Sequence, residues 1–317
     1  MSLTIADLLA SPDHYLQRFD GAQAVFVPMD RAAYHRSIFL DARIAPAAAR
    51  EMRVPVAMLG TPPPMPPVAW IFHVAHCGST LLARALDDMA GGLVLREPQA
   101  LRQAALAGDP ARLSLAAAMA ARRYRADAPT LVKANVPVNF VLPELARMQP
   151  DARAILLFLP LRDYVLAILR SDNHRAWLRR VTEDLAARLG DLSGKSDARR
   201  AAALWGAQMR LFAGALRAMP QARSLEAERF FAEPATVLRA AARHLAMPFV
   251  PEALDAVAAG PLFSTYSKNP AVAFDNDARL ERRAALERAL AGEVAEAEDR
   301  AGGVGDEVRA VMAAALV

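Results

Sequence analysis

The chain has 317 residues, 54% of them hydrophobic, enough for a substantial core; its one cysteine, Cys77, excludes an internal disulfide and a Cys-rich metal framework. Its 38 basic and 34 acidic side chains are interspersed, which leaves a formal net charge of +4 and argues against nucleic-acid binding. No run of about 18 apolar residues is present to span a bilayer, and the opening MSLTIADLLASPDHYLQRFDG lacks the order of a secretion signal, so a soluble, cytoplasmic protein is expected.

In chain order, residues 1–60 read as a small lead-in with a helix over 4–17 and two short β-like runs, 24–27 and 37–40, able to form a hairpin. The stretch TPPPMPP at 61–67 is a stiff connector, because proline donates no backbone hydrogen bond. The main domain is then expected over 68–317. The continuous apolar run at 68–72 reads as a strand buried on both faces, followed by the turn His76-Cys77-Gly78-Ser79-Thr80, a helix over 81–90 and the break Gly91-Gly92. Further strands are expected at 93–95, 130–133, 154–159 and 223–225, with helix over 101–125 and 138–148 between them. From 164 to 219 the pattern is mostly helical, with a polar interruption at 190–196. Helices at 234–245 and 280–295 follow, and Gly302-Gly303-Val304-Gly305 breaks the chain before a last short helix. Alternation of strand and helix argues for an α/β protein with a parallel sheet.

A strand, a turn of small residues and a helix make an anion site: backbone N–H groups face outward, Gly78 allows close approach, and the Ser79 and Thr80 hydroxyls can donate. The plainer reading of the same turn is a helix cap. The Walker pattern is absent, since His73 stands where its first glycine belongs and Ser79 where its lysine belongs. Lysine occurs only at Lys133, Lys195 and Lys268, so Lys133, next to an apolar Leu-Val pair, stands out as a cation at a strand end, where open α/β sheets bind ligands.

The turn at 76–80 resembles the shortened phosphate loop of the sulfotransferases, and neighbouring segments extend the likeness over roughly 70–250. In the tyrosylprotein-sulfotransferase-like branch a catalytic carboxylate follows the next strand, matched by Glu97 in Leu95-Arg96-Glu97-Pro98; a strand-end lysine is matched by Lys133 in Leu131-Val132-Lys133-Ala134-Asn135. The stretch SLEAERFFAEPATVLRAAARHLAMPF at 224–249 resembles the family's later strand, acidic residue and helix. The resemblance implies a P-loop α/β fold, a three-layer parallel sheet flanked by helices with helical additions. It also implies sulfuryl transfer from 3′-phosphoadenosine-5′-phosphosulfate (PAPS), a nucleotide donor, to a hydroxyl or amine of a small-molecule or peptide acceptor, with no metal required.

On that pattern Glu97 is the base, Lys133 and His76 stabilise the bridging and leaving oxygens, and the backbone from Cys77 to Thr80 holds the 5′-phosphate. Two positions depart from the family: Leu159 and Ala167 stand where its 3′-phosphate arginine and serine belong. Arg162, Arg170 and Ser171, and the late polar loop Tyr266-Ser267-Lys268-Asn269, are the candidates to replace them. Other readings stay open: Glu97 as a carboxylate paired with Arg96, the arginines as solvated residues, and His174 and Trp177 as an acceptor-pocket lining or as packing. A P-loop phosphotransferase using ATP or GTP, or a nucleotide binder without chemistry, are the competing functions.

Overall fold

The computed structural model describes residues 3–88, 91–301 and 303–317. Positions 89 and 90 of the expected 81–90 helix, and Gly302 of the expected glycine break, lie outside the described residues.

The described residues form ten strands. Three antiparallel ones form a lead-in sheet, β1 (His14–Asp20), β2 (Gln23–Pro28) and β3 (Met52–Pro55), in the order β1-β2-β3. The parallel sheet contains β4 (Val68–His73), β5 (Val94–Arg96), β6 (Thr130–Lys133), β7 (Arg153–Phe158) and β8 (Ala222–Glu226), in the order β5-β6-β4-β7-β8. A hairpin of β9 (Thr265–Tyr266) and β10 (Asn269–Ala273) follows. The molecule is thus α/β, a five-stranded parallel sheet flanked by helices. Residues of β4, β6 and β7 are buried almost throughout, as strands covered on both faces must be, which is why these segments read as unbroken apolar runs. The chain starts at β4, moves to one side through β5 and β6, and then crosses to β7 and β8. The order therefore reverses next to the carboxyl end of β4, where such sheets bind ligands.

The lead-in differs from its expected form. Its first helix is only Ile5–Ala10; a Thr4/Asp7 capping box starts it, and Ser11-Pro12 stops it because the residue before proline disfavours helix. Residues 37–40 are not a strand. The Arg96 guanidinium donates to the carbonyls of Ser37 and Ile38, and β3, further along, supplies the third strand instead. The expected 101–125 helix is two helices, Gln99–Ala107 and Pro110–Ala120, broken at Gly108, which is left-handed, and at the Asp109 cap. The expected 138–148 helix begins as a 3-10 turn, Val136–Val141, and becomes α-helix only at Leu142–Met148, where Pro143 sits in the first turn and lacks only a bond it would not have made. Residues 280–295 belong to two helices, Asn276–Ala289 and Ala291–Arg300.

Both open edges of the parallel sheet are occupied. Beside β5, Leu40 N–H donates to the Arg96 carbonyl at 2.8 Å and Gln99 N–H to the Leu40 carbonyl at 3.2 Å. Beside β8, Ser224 N–H donates to Ala314 at 2.9 Å, and Leu316 N–H donates to Ser224 at 2.8 Å. Among the described residues no helix is long and apolar enough to cross a membrane.

Candidate active site

β4 ends in a loop that turns sharply twice. His76 lies at φ 61° and Gly78 at φ 82°, both left-handed, after which the Ser79–Ala85 helix begins. Gly78 is needed on two counts, since a Cβ there would also stand 2.8 Å from the Phe231 ring. A left-handed histidine stores strain that the surrounding fold must hold. Cys77 turns into the core, its thiol facing the Leu157 carbonyl at 3.9 Å and raised by burial to about 11, so it contributes backbone and not a reactive sulfur.

Around this loop lies a cavity of about 1050 Å³. His76, Cys77, Gly78, Ser79, Thr80, Glu97, Arg170 and Lys268 all line it. Arg162 does not: its half-exposed side chain turns to Glu287 at 3.5 Å. Ser171 also stays off the wall and acts through a neighbour, its Oγ 2.6 Å from His174 Nδ1. Arg170 donates to His174 Nε2 at 2.9 Å, which fixes the proton on Nδ1 and makes that nitrogen the donor to Ser171. His174 and Trp177 face the cavity, with ring centroids 4.4 and 5.4 Å from that of His76. Leu159 and Ala167 also line it and present only hydrocarbon.

Glu97 projects from the end of β5 on a left-handed backbone, φ 59°, its N–H donating to the Lys133 carbonyl at 2.8 Å. Lys133 is fully buried, does not line the cavity, and is ion-paired with Glu97 Oε1, with the Phe39 ring centroid 5.9 Å from its ammonium. Burial pushes the Glu97 carboxyl up, but Lys133 and then His73 outweigh it and hold the group down at about 2. A cation expected to face the leaving group is thus engaged behind the carboxylate. Lys268, in the β9–β10 turn, is the lysine that meets the cavity. Protein crowded around it, and then Lys133, lower its pKa. Arg84 donates to the Ser267 carbonyl at 2.8 Å and Arg282 to the Tyr266 hydroxyl at 2.6 Å, securing that turn.

The residue next to Glu97 holds the opposite wall. Arg96 is fully buried, ion-paired with Asp87, and donates to the carbonyls of Tyr34 at 2.7 Å, His35 at 3.0 Å and Ser37 at 2.6 Å. The segment so held carries Phe39, Asp41 and Arg43 into the cavity. These three were invisible in the sequence, since nothing local to 37–43 marks it as site-forming. Asn135 and the Arg279, Arg282 and Arg283 face of the Asn276–Ala289 helix also line the cavity; the helix's spaced arginines were a signal that could have been followed.

Two expectations follow from this geometry. Thr80 is 2% exposed and its Oγ1 has no hydrogen-bond partner, an arrangement that disfavours the empty site and favours a bound oxyanion. Thr80→Val, nearly the same shape, therefore raises the stability of the ligand-free protein by about 1 kcal/mol and weakens phosphate binding; chemical unfolding and calorimetry read the two opposite signs.

The second concerns acid. Burial, then the Lys133 charge, brings His73 down to about 3, and its Nε2 lies 2.9 Å from the Ala134 carbonyl. Burial, then Lys268, takes His76 well below its ordinary value. Between about pH 3 and 6.5 the unfolded chain binds a proton at His73 that the folded chain refuses, so stability falls as pH falls, by about 1.4 kcal/mol per unit. Glu97 adds its own loss only below its unfolded value of 4.5, down to about 2. His76 adds a loss of its own over the same range, so in urea titrations from pH 7 to 4.5 His73→Gln makes the decline shallower without abolishing it; an unchanged slope would show that His73 does not contribute.

No family model matches this chain, and none of the curated proteins does. Among solved structures, a sulfotransferase domain from the curacin biosynthetic pathway is similar at 15% identity, covering 60% of this chain and 77% of that one, with a TM-score of 0.38.

Proposed function

We propose that the cavity transfers a sulfuryl group from an adenosine phosphosulfate donor to a hydroxyl or amine of an acceptor. One observation carries the reading: a carboxylate held ionised by Lys133, Glu97, sits on a strained backbone in the same cavity that is lined by the 76–80 loop, whose Thr80 hydroxyl is enclosed and unpartnered. Strain of this kind, of order 1–3 kcal/mol, persists where the surrounding fold imposes it, and it clusters at sites of chemistry.

The donor fits the residues at its 5′ end. The loop backbone from Cys77 to Thr80 and the Thr80 hydroxyl would hold the 5′-phosphate, and the donor supplies an activated sulfuryl group. Leu159 and Ala167 offer nothing to a 3′-phosphate, so Arg170 and Arg282, whose side-chain partners are neutral, are the cations closest to hand, while Arg279 and Arg283 line the cavity already paired with Glu228 and Asp163. Glu97 accepts the acceptor's proton as its nucleophile attacks. With a pKa of about 2 it is a weak base, suited to a loose transition state in which the proton leaves late. Lys133 positions Glu97 and keeps it ionised. Lys268 and the neutral His76, whose Nε2 has no partner, face charge that grows on the leaving oxygens.

The test is thermal unfolding of the protein with adenosine 3′,5′-bisphosphate and, separately, with ATP and magnesium. Stabilisation by the bisphosphate supports the reading; stabilisation by ATP and magnesium alone replaces it with phosphoryl transfer.

A further inference from the structure

Arg170 closes the helix Leu161–Leu169 and Ser171 opens the next one, Asp172–Asp184, so the two sit at a corner of the chain. A serine at that opening position ordinarily accepts a hydrogen bond from a backbone N–H of the first turn. Here it makes no such bond, and its Oγ lies instead 2.6 Å from Nδ1 of His174, the third residue of the helix. The other ring nitrogen of His174 accepts from Arg170 Nε at 2.9 Å. The imidazole is thus held from behind by Ser171, and Arg170 is held by the imidazole. The Arg170 side chain is exposed, lines the cavity and has no carboxylate partner among the described residues; its terminal amino groups, Nη1 and Nη2, make no hydrogen bond there. Burial of part of the side chain lowers its pKa, the nearby Arg282 charge adding to this and the Tyr266 hydroxyl opposing it. Two neighbouring cations, each bonded to a neutral partner, favour a bound anion.

A carboxylate in the place of His174 would orient Arg170 equally well but would cancel its charge. A neutral imidazole orients without cancelling, and burial, then the Arg170 and Lys268 charges, bring His174 down to about 4, so it is neutral at neutral pH. Ala167, one helical turn before Arg170, gives that face of the cavity only hydrocarbon. The guanidinium is therefore the group that can answer a second phosphate there, with two parallel N–H···O bonds. The His174 ring also packs 4.4 Å, centroid to centroid, from that of His76, which ties this corner to the loop that takes the 5′-phosphate. We propose that His174 is a positioning residue for the donor: by holding Arg170 Nε it aims the two free amino groups of the guanidinium at the 3′-phosphate, and so sets the preference for a nucleotide that carries one.

This inference rests on the adenosine phosphosulfate reading, and its test separates the two. Calorimetry measures the affinities of adenosine 3′,5′-bisphosphate and adenosine 5′-monophosphate for wild type, His174→Leu, His174→Gln, Arg170→Gln and the double variant His174→Leu/Arg170→Gln. Wild type is expected to prefer the bisphosphate by about 30-fold or more, as a charged, two-bond contact to the second phosphate implies. His174→Leu lowers that preference by about ten-fold, through the bisphosphate alone, with monophosphate affinity held within about three-fold. His174→Gln, whose amide oxygen can accept from Arg170, keeps the preference within about three-fold of wild type. The double variant is no worse than Arg170→Gln, because His174 acts through Arg170. An unchanged preference in His174→Leu or in Arg170→Gln overturns the assignment, as do equal losses of both nucleotides or additive losses in the double variant. A wild type that binds both nucleotides equally also overturns it, while leaving the loop's hold on the 5′-phosphate standing. Failure of the bisphosphate to bind removes both readings.

Discussion

Glu97→Gln loses turnover by two to four orders of magnitude, the range associated with removing a positioned base, and at the same time unfolds about 3 kcal/mol more easily. The two losses have different origins. Lys133 is wholly buried, and the substitution leaves its charge without a counter-ion, which costs about 3–5 kcal/mol when both partners are enclosed. The Glu97 side chain retains 19% exposure, so water reaches the pair and the lower end of that range applies. The double variant Glu97→Gln/Lys133→Met removes the stranded charge and regains most of the stability, with no recovery of activity. Urea unfolding with a sulfate-transfer assay on the three proteins distinguishes these effects. Undiminished turnover in Glu97→Gln would falsify the proposal that it is the base.

Arg96→Met is expected to cost about 3–5 kcal/mol without touching the chemistry directly. The guanidinium serves four carbonyls of the 34–38 segment besides the Asp87 carboxylate. Asp87 keeps Arg31 at 2.6 Å, which limits the damage on that side. Lysine is no substitute, because one ammonium cannot reproduce a planar fork of five donors. With Arg96 gone, the wall that brings Phe39, Asp41 and Arg43 to the cavity is released, so acceptor KM rises while adenosine bisphosphate affinity stays within about three-fold. Equal loss of both would mean that Arg96 supports the whole site.

The parallel sheet was legible because its strands are buried on both faces and so must be continuously apolar: 130–133 was located to the residue, and 154–159 missed by one at each end. The 76–80 turn was legible because small residues between strand and helix leave few alternatives. What escaped depended on contacts between distant segments. Residues 37–40 have the composition of a strand, yet the Arg96 guanidinium takes the carbonyls of Ser37 and Ile38 that a strand would use for pairing. Lys133 read as a cation at the ligand-binding end of a strand, yet its pairing with Glu97 places it behind the cavity wall. Arg162 and Arg170 were equivalent in sequence, eight residues apart, and the helix turns one to solvent and the other inward.

The sealing of β8 bears on how this chain reaches its native state. An uncovered strand edge templates pairing with other molecules, and here the backbone cover for Ser224 comes from Ala314 and Leu316, with the Ser224 hydroxyl bonded to the Val311 carbonyl 87 positions away. Closing so long a loop is slow relative to local helix formation. During that interval the nascent sheet presents a sticky margin, so yield on refolding falls with protein concentration, and chains cut ahead of residue 311 aggregate even though every residue of the cavity is still present.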